Sequence, residues 1–323
     1  MGLMKMAPQQ RDMMNPPQLS EFPINNKLDP KYPEGINLAV CLVHNIDVIF
    51  PSLSDIFHST YRHMKTGLLK DSFRMLFSSL SRKFNPLFNF EKVIELEHRY
   101  GATSGFYFSV LHKGEKGYNY DISNLACELK NIRENGWEVG FLGSQSLCCD
   151  AEYMLSRKQK LEDVLRDKVV GYVNPHHCFT LPETCKTLDM AGFEYIITFV
   201  DPECMDLSES MYRLFRANYF NENKDMGIMT LLASIRESTM FNGFANPKNM
   251  DNDVEEVWKF TKHLIDKVSE NLGVLVLSWP NTSMLGEGLD FYEKTLSYCS
   301  MKGAWLTSGK EIVEWWGQSI LKK

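Results

Sequence analysis

The sequence predicts an α/β protein whose parallel sheet closes into one (β/α) barrel. Short apolar runs alternate with amphipathic segments along most of the chain after residue 35. The first of these runs stops on polar residues, as strands in parallel α/β proteins often do at their carboxyl ends. A chain of 323 residues is long enough for one large domain of this kind. Regular alternation favours a parallel sheet, because each helix returns the chain to the end of the sheet where the next strand starts.

The first predicted strand covers 36–43 and leads into three polar residues, His44, Asn45 and Asp47. Because a sheet holds the backbone at this point, a carboxylate here is a candidate metal ligand or acid/base group. Asp47 has a simpler alternative role, which is to cap the strand end by accepting hydrogen bonds from backbone N–H groups. The sequence at this position is compatible with both.

The remaining elements follow from periodicity and from turn residues such as Asn135-Gly136 and Gly303. Predicted helices cover 52–83, 90–100, 122–135, 151–166, 182–191, 253–271, 289–302 and 310–316. Predicted strands cover 104–111, 137–142, 169–173, 193–200, 273–279 and 304–307. Between 201 and 252 the pattern is irregular and assigns no strand.

Composition and charge narrow the class of protein. The formal charge of -6 argues against a nucleic-acid partner, which would require a basic surface. The 8 cysteines include no Cys-x-x-Cys pair, so we expect reduced cysteines and a cytoplasmic protein. We expect no signal peptide and no membrane span, because no apolar stretch reaches about 18 residues. We expect a flexible arm over 1–34, a barrel domain over 35–317 and a short tail over 318–323; no pattern indicates an oligomeric state.

Seven stretches carry a resemblance to a known family. They are FNFEKVIELEHRYGATSGFYF (88–108), NGWEVGFLGS (135–144), VVGYVNPHH (169–177), AGFEYIITF (191–199), LFRANY (214–219), VLVLSWPN (274–281) and KGAWLTSGKEIVEWW (302–316). In this order they resemble the NodB-like polysaccharide deacetylases from about residue 35 to 316. The resemblance implies a distorted (β/α) barrel. It also implies removal of N-acetyl groups from sugars by a metal-bound water, with an Asp as base and an Asp-His-His metal site.

The chain departs from that family at most of the functional positions. Asn45 stands in the place of the base and cannot accept a proton at neutral pH, whereas Asp47 keeps the place of a metal ligand. Leu142 and Ser146 stand where the two metal-binding histidines are expected, and a Leu offers no lone pair.

Two further places are changed. Val173 replaces an Arg that would orient the base, and Trp279 replaces a His that would act as general acid. Of the six places, only Asp47 keeps its expected group. We therefore predict a protein inactive as an ordinary deacetylase, with no cofactor and with Asp47 at most a weak metal ligand.

Other residues offer ways to rebuild a site. His44, His176 and His177 follow predicted strand ends and could bind substrate or hold zinc or another divalent metal; alternatively they bond to backbone or water. The vicinal pair Cys148-Cys149 could add soft ligands, although such a pair is more often inert.

Arginine and aromatic side chains are candidates for ligand contact. Arg216 could bind an anionic or hydroxyl-rich ligand, or pair with a carboxylate at the rim. Trp137, Phe141, Tyr172 and Trp279 could form a platform for a sugar ring, although core packing is the commoner fate of such residues.

Two functions remain as hypotheses. In the first, a catalytically inactive deacetylase-like barrel, a pseudoenzyme of surface carbohydrate metabolism, binds a glycan or a protein partner. In the second, a metal-dependent hydrolase with a rebuilt site cleaves an acetamide or another C–N bond. Stoichiometric zinc in the purified protein would distinguish them.

Overall fold

A computed structural model describes residues 32–51, 82, 85–144, 150–174, 183–199, 215–216, 228–237 and 254–321. The strands in this part of the chain are β1 (Ala39–Ile46), β2 (Gly105–Ser109), β3 (Glu138–Leu142), β4 (Gly171–Val173), β5 (Tyr195–Phe199), β6 (Phe215–Arg216), β7 (Met229–Ala233), β8 (Ile235–Arg236), β9 (Val274–Ser278) and β10 (Trp305–Thr307). The α-helices are α1 (Phe90–Arg99), α2 (Ala126–Glu134), α3 (Ala151–Leu165), α4 (Glu183–Met190), α5 (Val254–Glu270), α6 (Gly286–Met301) and α7 (Gly309–Leu321).

Most predicted elements that fall on described residues are confirmed, with ends that shift by a few residues. The start of the helix predicted over 122–135 is a 3₁₀ turn, Ile122–Leu125. The strands β6, β7 and β8 were not assigned from the sequence. The predicted helix at 52–83 and the expected arm at the amino terminus lie almost entirely outside the described residues.

The sheet is a distorted (β/α) barrel whose strands run parallel, apart from the short antiparallel pair β6–β7. Its order is β6-β7-β5-β4-β3-β2-β1-β9-β8, and β10 pairs with the first half of β1. The segment 229–236 closes the barrel. Its first part pairs with β5, and its second part pairs with β9, where the Ser234 N–H donates to the Val276 carbonyl at 3.1 Å.

The two faces of each strand bury different parts of the core, because successive side chains of a strand point to opposite sides. On β1, Ala39, Cys41 and Val43 belong to the apolar cluster inside the barrel. Leu38, Val40, Leu42 and Ile46 belong to the larger cluster between the barrel and its helices. The alternation continues past Val43, so that Asn45 lies on the inner face and His44 on the outer face.

The amino-terminal end of the barrel is filled by two tyrosines and closed by α7. Tyr107 and Tyr195 share a hydrogen bond of 2.6 Å between their hydroxyl groups, and the Tyr195 hydroxyl also donates to Glu138 Oε1 at 2.5 Å. The first turn of α7 meets the same carboxylate, since the Lys310 N–H donates to Glu138 Oε2 at 3.0 Å. Among the described residues this end is filled with side chains, which favours the carboxyl-end face as the place for a ligand.

Among the described residues no helix combines the length and apolar character required to span a bilayer. The division into arm, barrel and tail stays a prediction.

Candidate functional site

The carboxyl ends of the strands form a mouth lined by inward-facing residues from five strands. Asn45 comes from β1, Leu142 from β3, Val173 from β4, Arg236 from β8 and Ser278 from β9. Leu142 and Val173 belong to the inner apolar cluster and supply the apolar wall. Asn45, Ser278 and Arg236 supply polar groups on the opposite side. We call this set, together with Asp47, the mouth.

Asn45 is the polar centre of the mouth. Its Nδ2 donates to Ser278 Oγ at 3.3 Å, whereas its Oδ1 is buried and has no hydrogen-bond partner among the described residues. Exchanging the amide oxygen and nitrogen would only transfer the unmet hydrogen bond from one atom to the other. Because a buried polar atom without a partner is costly, the amide is suited to accept or donate one hydrogen bond to a ligand.

Asp47 lies just beyond the end of β1 and is exposed as a whole residue. Desolvation of its carboxyl group nevertheless raises its pKa, and this outweighs hydrogen bonds from the backbone N–H groups of Asp47 and Val48 and the charge of Arg236, all of which lower it. The two backbone bonds are those expected of a strand-end cap.

Arg236 is half-buried on the inner side of β8. Burial lowers its pKa to about 10, while the carboxylates of Glu237 and Asp47 raise it. A group with that pKa keeps its charge at neutral pH.

His44 lies on the outer face of β1, away from Asn45. Its Nδ1 is 2.8 Å from the Trp279 carbonyl oxygen and its Nε2 is 2.7 Å from Glu97 Oε1. The imidazole is 1% exposed, which leaves it no access to a ligand in the mouth. The structure therefore places His44 in a buried polar network of the core, and it does not bring this residue together with the mouth.

The same network contains Trp137, whose Nε1–H donates to Glu97 Oε2 at 2.5 Å. Ser104 and Tyr292 also donate to this carboxylate, at 2.7 Å and 2.6 Å. Burial raises the pKa of Glu97, but the facing His44 and the hydrogen bonds from His44, Tyr292 and Trp137 lower it more, so the pKa lies below its ordinary value. Glu97 thus satisfies four donors inside the layer between barrel and helices.

The predicted aromatic platform is also part of that layer. Trp279 is fully buried and stacks on Phe291 with ring centroids 5.9 Å apart. Phe141 and Tyr172 stack on each other at 5.8 Å, and both belong to the outer cluster. These rings pack in the core, the commoner fate considered for them, and their faces are not turned to the mouth.

For Arg216 the pairing of its backbone gives its position in the fold. It lies on β6, opposite Met229 at the amino-terminal end of β7, and so not beside the carboxyl ends that form the mouth. Four other candidates, Ser146, His176, His177 and the pair Cys148-Cys149, lie outside the described residues, and their roles stay predictions.

The described mouth does not fit the divalent metal ion that this kind of barrel implies. Across the described ranges, no group of three His, Cys, Asp or Glu side chains converges to hold a metal. The residues at the mouth explain this misfit. Asp47 is the one carboxylate at a position where the family has a metal ligand, and Leu142 offers no lone pair. Arg236 carries a positive charge and is not a metal ligand. No catalytic step through a metal is derived from these residues.

Sequence reasoning missed Arg236, Ser278 and Glu97. Arg236 lies in the irregular stretch where no strand was assigned, and Ser278 was treated only as part of a buried strand. Glu97 lies on the predicted helix over 90–100, in which no polar residue was singled out. A buried carboxylate there could have been suspected only from its spacing of three residues from Ile94, four from Val93 and seven from Phe90 on the apolar face.

Sequence comparisons do not add a family, since no family model matches the chain and neither does any curated protein. The fold, by contrast, is that of the NodB-like polysaccharide deacetylases. A solved structure from Mycobacterium smegmatis, assigned as a polysaccharide deacetylase, matches with a TM-score of 0.62 at 15% identity. The match covers 90% of this chain and 93% of that one.

Other solved structures match less closely. The peptidoglycan deacetylase PdaC from Bacillus subtilis has a TM-score of 0.40 at 10% identity, over 88% of this chain and 94% of that chain. A CE4 family pseudoenzyme from Bacillus anthracis has a TM-score of 0.40 at 11% identity, over 90% of this chain and 70% of that chain. At these scores the two structures add nothing to the argument about function.

Proposed function

We propose that this protein is a deacetylase-like barrel that binds a glycan at its mouth and does not carry out metal-dependent deacetylation. The observation that carries the proposal is the state of Asn45, which stands where the family has its base and keeps a buried amide oxygen without a partner among the described residues. Such an atom can accept a hydrogen bond from a hydroxyl group but cannot take a proton from water.

The loss of chemistry follows from the groups present. An amide at the place of the base removes general-base help, which typically contributes roughly 10²–10⁴-fold to the rate. Leu142 at the place of a histidine leaves Asp47 as the single ligand kept from the metal site, and one carboxylate holds a divalent cation only weakly in water. Without a bound ion no water is activated, so both halves of the reaction are lost together.

The features that remain suit binding. Leu142 and Val173 provide an apolar wall, and Asn45, Ser278 and Arg236 converge on the opposite side. Ligand pockets combine mostly apolar surface with a few placed polar groups in this way. Sugars present apolar C–H faces and hydroxyl groups, so they match both kinds of surface.

An acetate-release assay tests the absence of catalysis. The purified protein is given N-acetylated sugar oligomers with zinc, cobalt or nickel added, beside an Asp47→Ala variant. We expect no turnover above background in either protein. Turnover that disappears in Asp47→Ala would refute the proposal and support the alternative of a hydrolase with a rebuilt site, making His176 and His177 the next residues to substitute.

Calorimetric titration with the same oligomers tests binding in the same preparation. Asn45→Ala should weaken binding by roughly tenfold, the cost of one hydrogen bond to a buried partner. Asn135→Ala, at the end of α2 near the closed end of the barrel, is the matched control and should bind as the wild type does. Equal binding by all three proteins, or none by the wild type, would contradict the assignment of the mouth as a glycan site.

A further inference from the structure

Helix α3 buries an arginine in the layer between the barrel and its helices. Arg157 lies on the face of this helix that also carries Met154 and Leu161 of the outer cluster, and it is only 6% exposed. Because that face packs outside the ring of strands, Arg157 does not belong to the mouth. A buried cation is costly unless its charge is compensated, so the groups around it indicate its role.

Arg157 differs from two neighbouring cations of α3 in its partners. Lys158 pairs with Glu162 and Lys160 pairs with Asp121, each with 2.9 Å between nitrogen and oxygen. In the described part of the chain, no Asp or Glu forms such a pair with the guanidinium of Arg157. This buried charge therefore lacks the compensation that the other two receive.

The contacts of the guanidinium leave one of its edges incomplete. The ring of Tyr153, one helical turn earlier, lies against the guanidinium, with 4.5 Å between Cζ and the ring centroid. On the edge formed by Nε and Nη2, Nη2 donates to Nε2 of His112, whereas the buried Nε has no hydrogen-bond partner among the described residues. A neutral imidazole has one acceptor nitrogen, so His112 leaves this edge half satisfied.

Glu115 belongs to the same cluster but does not complete that edge. Its Oε1 accepts from the hydroxyl of Tyr153, and its Oε2 accepts from the backbone N–H of His112. The carboxylate thus connects α3 to the loop after β2 on either side of the arginine. The His112 side chain is on the exposed side of this cluster, so its ring can turn into solvent and uncover Nε and Nη2 of Arg157.

We propose that Arg157 is the centre of a second binding site, which takes the carboxylate group of an anionic ligand in the place that the His112 imidazole occupies. A carboxylate has two oxygens and accepts from Nε and Nη2 together, the forked geometry in which arginine binds such groups. The site suits a singly charged carboxylate better than a phosphate dianion, because it offers one cation and Glu115 adds a negative charge beside it. This inference goes beyond the proposed function and does not depend on it.

Binding of acetate to the full chain tests the inference. Saturation-transfer NMR of the acetate methyl group measures the affinity, with sodium chloride at the same ionic strength as the reference and inorganic phosphate as a competitor. Arg157→Gln removes the fork, and His112→Ala removes the competing ring. Lys160→Gln is the matched control on the same helix, since Lys160 is already paired with Asp121. Circular dichroism first establishes that each variant is folded, and Asn45→Ala detects acetate bound in the mouth.

The wild type should bind acetate saturably, and Arg157→Gln should weaken this binding by roughly tenfold or more, because two charge-assisted hydrogen bonds are lost. His112→Ala should strengthen it by roughly threefold or more, because no imidazole then competes for the edge. Lys160→Gln should bind as the wild type does, and phosphate should displace acetate only weakly.

Four results would overturn the inference: no binding by the wild type and by His112→Ala, undiminished binding by Arg157→Gln, tighter binding of phosphate than of acetate, or a loss in Asn45→Ala without one in Arg157→Gln. An affinity unchanged by His112→Ala would also overturn it, and this exposed substitution decides the question if Arg157→Gln does not fold. The acetate-release assay has no bearing on these results, so the proposed function and this second site can fail separately.

Discussion

At the scale of the residue, Glu97 is a charged group held in the core by several hydrogen bonds. It is fully buried and accepts hydrogen bonds from Ser104, Trp137 and Tyr292, in addition to facing His44. Buried charges survive only when they are paired and hydrogen-bonded, and this one is both. Its donors come from four elements or their flanks, so the carboxylate connects α1, β1, α6 and the starts of β2 and β3.

Glu97→Gln should lower the free energy of unfolding by roughly 3–5 kcal/mol, because removing one partner of a buried ion pair leaves the other uncompensated. Chemical denaturation monitored by circular dichroism measures this. Glu293→Gln, which breaks the exposed pair with Arg99 but leaves an amide oxygen to accept from Tyr100, should cost at most about 1 kcal/mol. Equal losses in the two variants would show that the buried network is not specially stabilising.

The same carboxylate should make stability depend on acid. Its pKa in the folded protein is lower than the ordinary value of 4.5, so its contribution is complete above pH 4.5 and is lost as the pH falls through the lower folded value. The free energy of unfolding should therefore depend less on pH in acid for Glu97→Gln than for the wild type. Glu293→Gln should keep the pH dependence of the wild type.

At the scale of the element, strands β2, β3 and β4 carry glycines where the tyrosine rings lie inside the barrel. A Cβ placed on Gly140 would lie 2.2 Å from Tyr107 Cδ1, and one on Gly171 would lie 2.3 Å from the Tyr195 hydroxyl oxygen. Gly105 and Gly309 are similarly close to these two rings. Glycine is thus required at these positions so that the two tyrosine rings can pack at the closed end of the barrel.

Gly140→Ala should destabilise the protein by about 1–3 kcal/mol, since the ring of Tyr107 must move within a packed interior. Gly317→Ala is the matched control in α7, where a Cβ would meet nothing within 4 Å. It should stabilise the protein by about 0.5–1 kcal/mol, because alanine has the higher helix propensity. Thermal unfolding of both variants measures the contrast, and a Gly140→Ala protein as stable as the wild type would show that the interior tolerates the overlap.

At the scale of the whole molecule, pairing between distant parts of the chain predicts a single cooperative unit. β1 pairs with β2 on one edge and with β9 on the other, and β10 also joins it. The segment 229–236 connects β5 to β9 and completes the ring. If the described chain were divided near its middle, the two parts would not each keep a closed sheet.

Limited proteolysis checks this expectation. We expect one resistant core beginning near residue 35 and ending near 317, with cuts between 140 and 180 leading to complete digestion. Two stable fragments from a cut in that interval would show two domains. A single transition in denaturant, coincident by fluorescence and circular dichroism, would support the same conclusion independently.

The fold could be predicted from the sequence because its signals are local. The strand–helix alternation, the turn glycines and the amphipathic period of α1 depend on neighbours within a few residues, and they define a parallel barrel without long-range information. In the stretch from 201 to 252, local signals did not assign the strands. Its strand β7 is a short, mostly apolar run, of a kind that periodicity cannot separate from a buried helix, and β8 has only the two residues Ile235 and Arg236. Their pairing with β5 and β9 depends on closure of the ring.

The departures from the family's residue pattern could also be read from the sequence, because Asn45, Leu142 and Val173 are identified by their positions along their strands. The direction in which each side chain points could not be read from the sequence. His44 and Asn45 are adjacent in sequence, yet one enters the buried network of Glu97 and the other enters the mouth, since a strand alternates its faces at every residue. The sequence by itself determined a degenerate deacetylase-like barrel. Only the tertiary structure decided that Arg236 lies on the inner face beside Ser278 and that Ser278 bonds to Asn45, because β1 and β9 are far apart in the chain and pair only when the barrel forms.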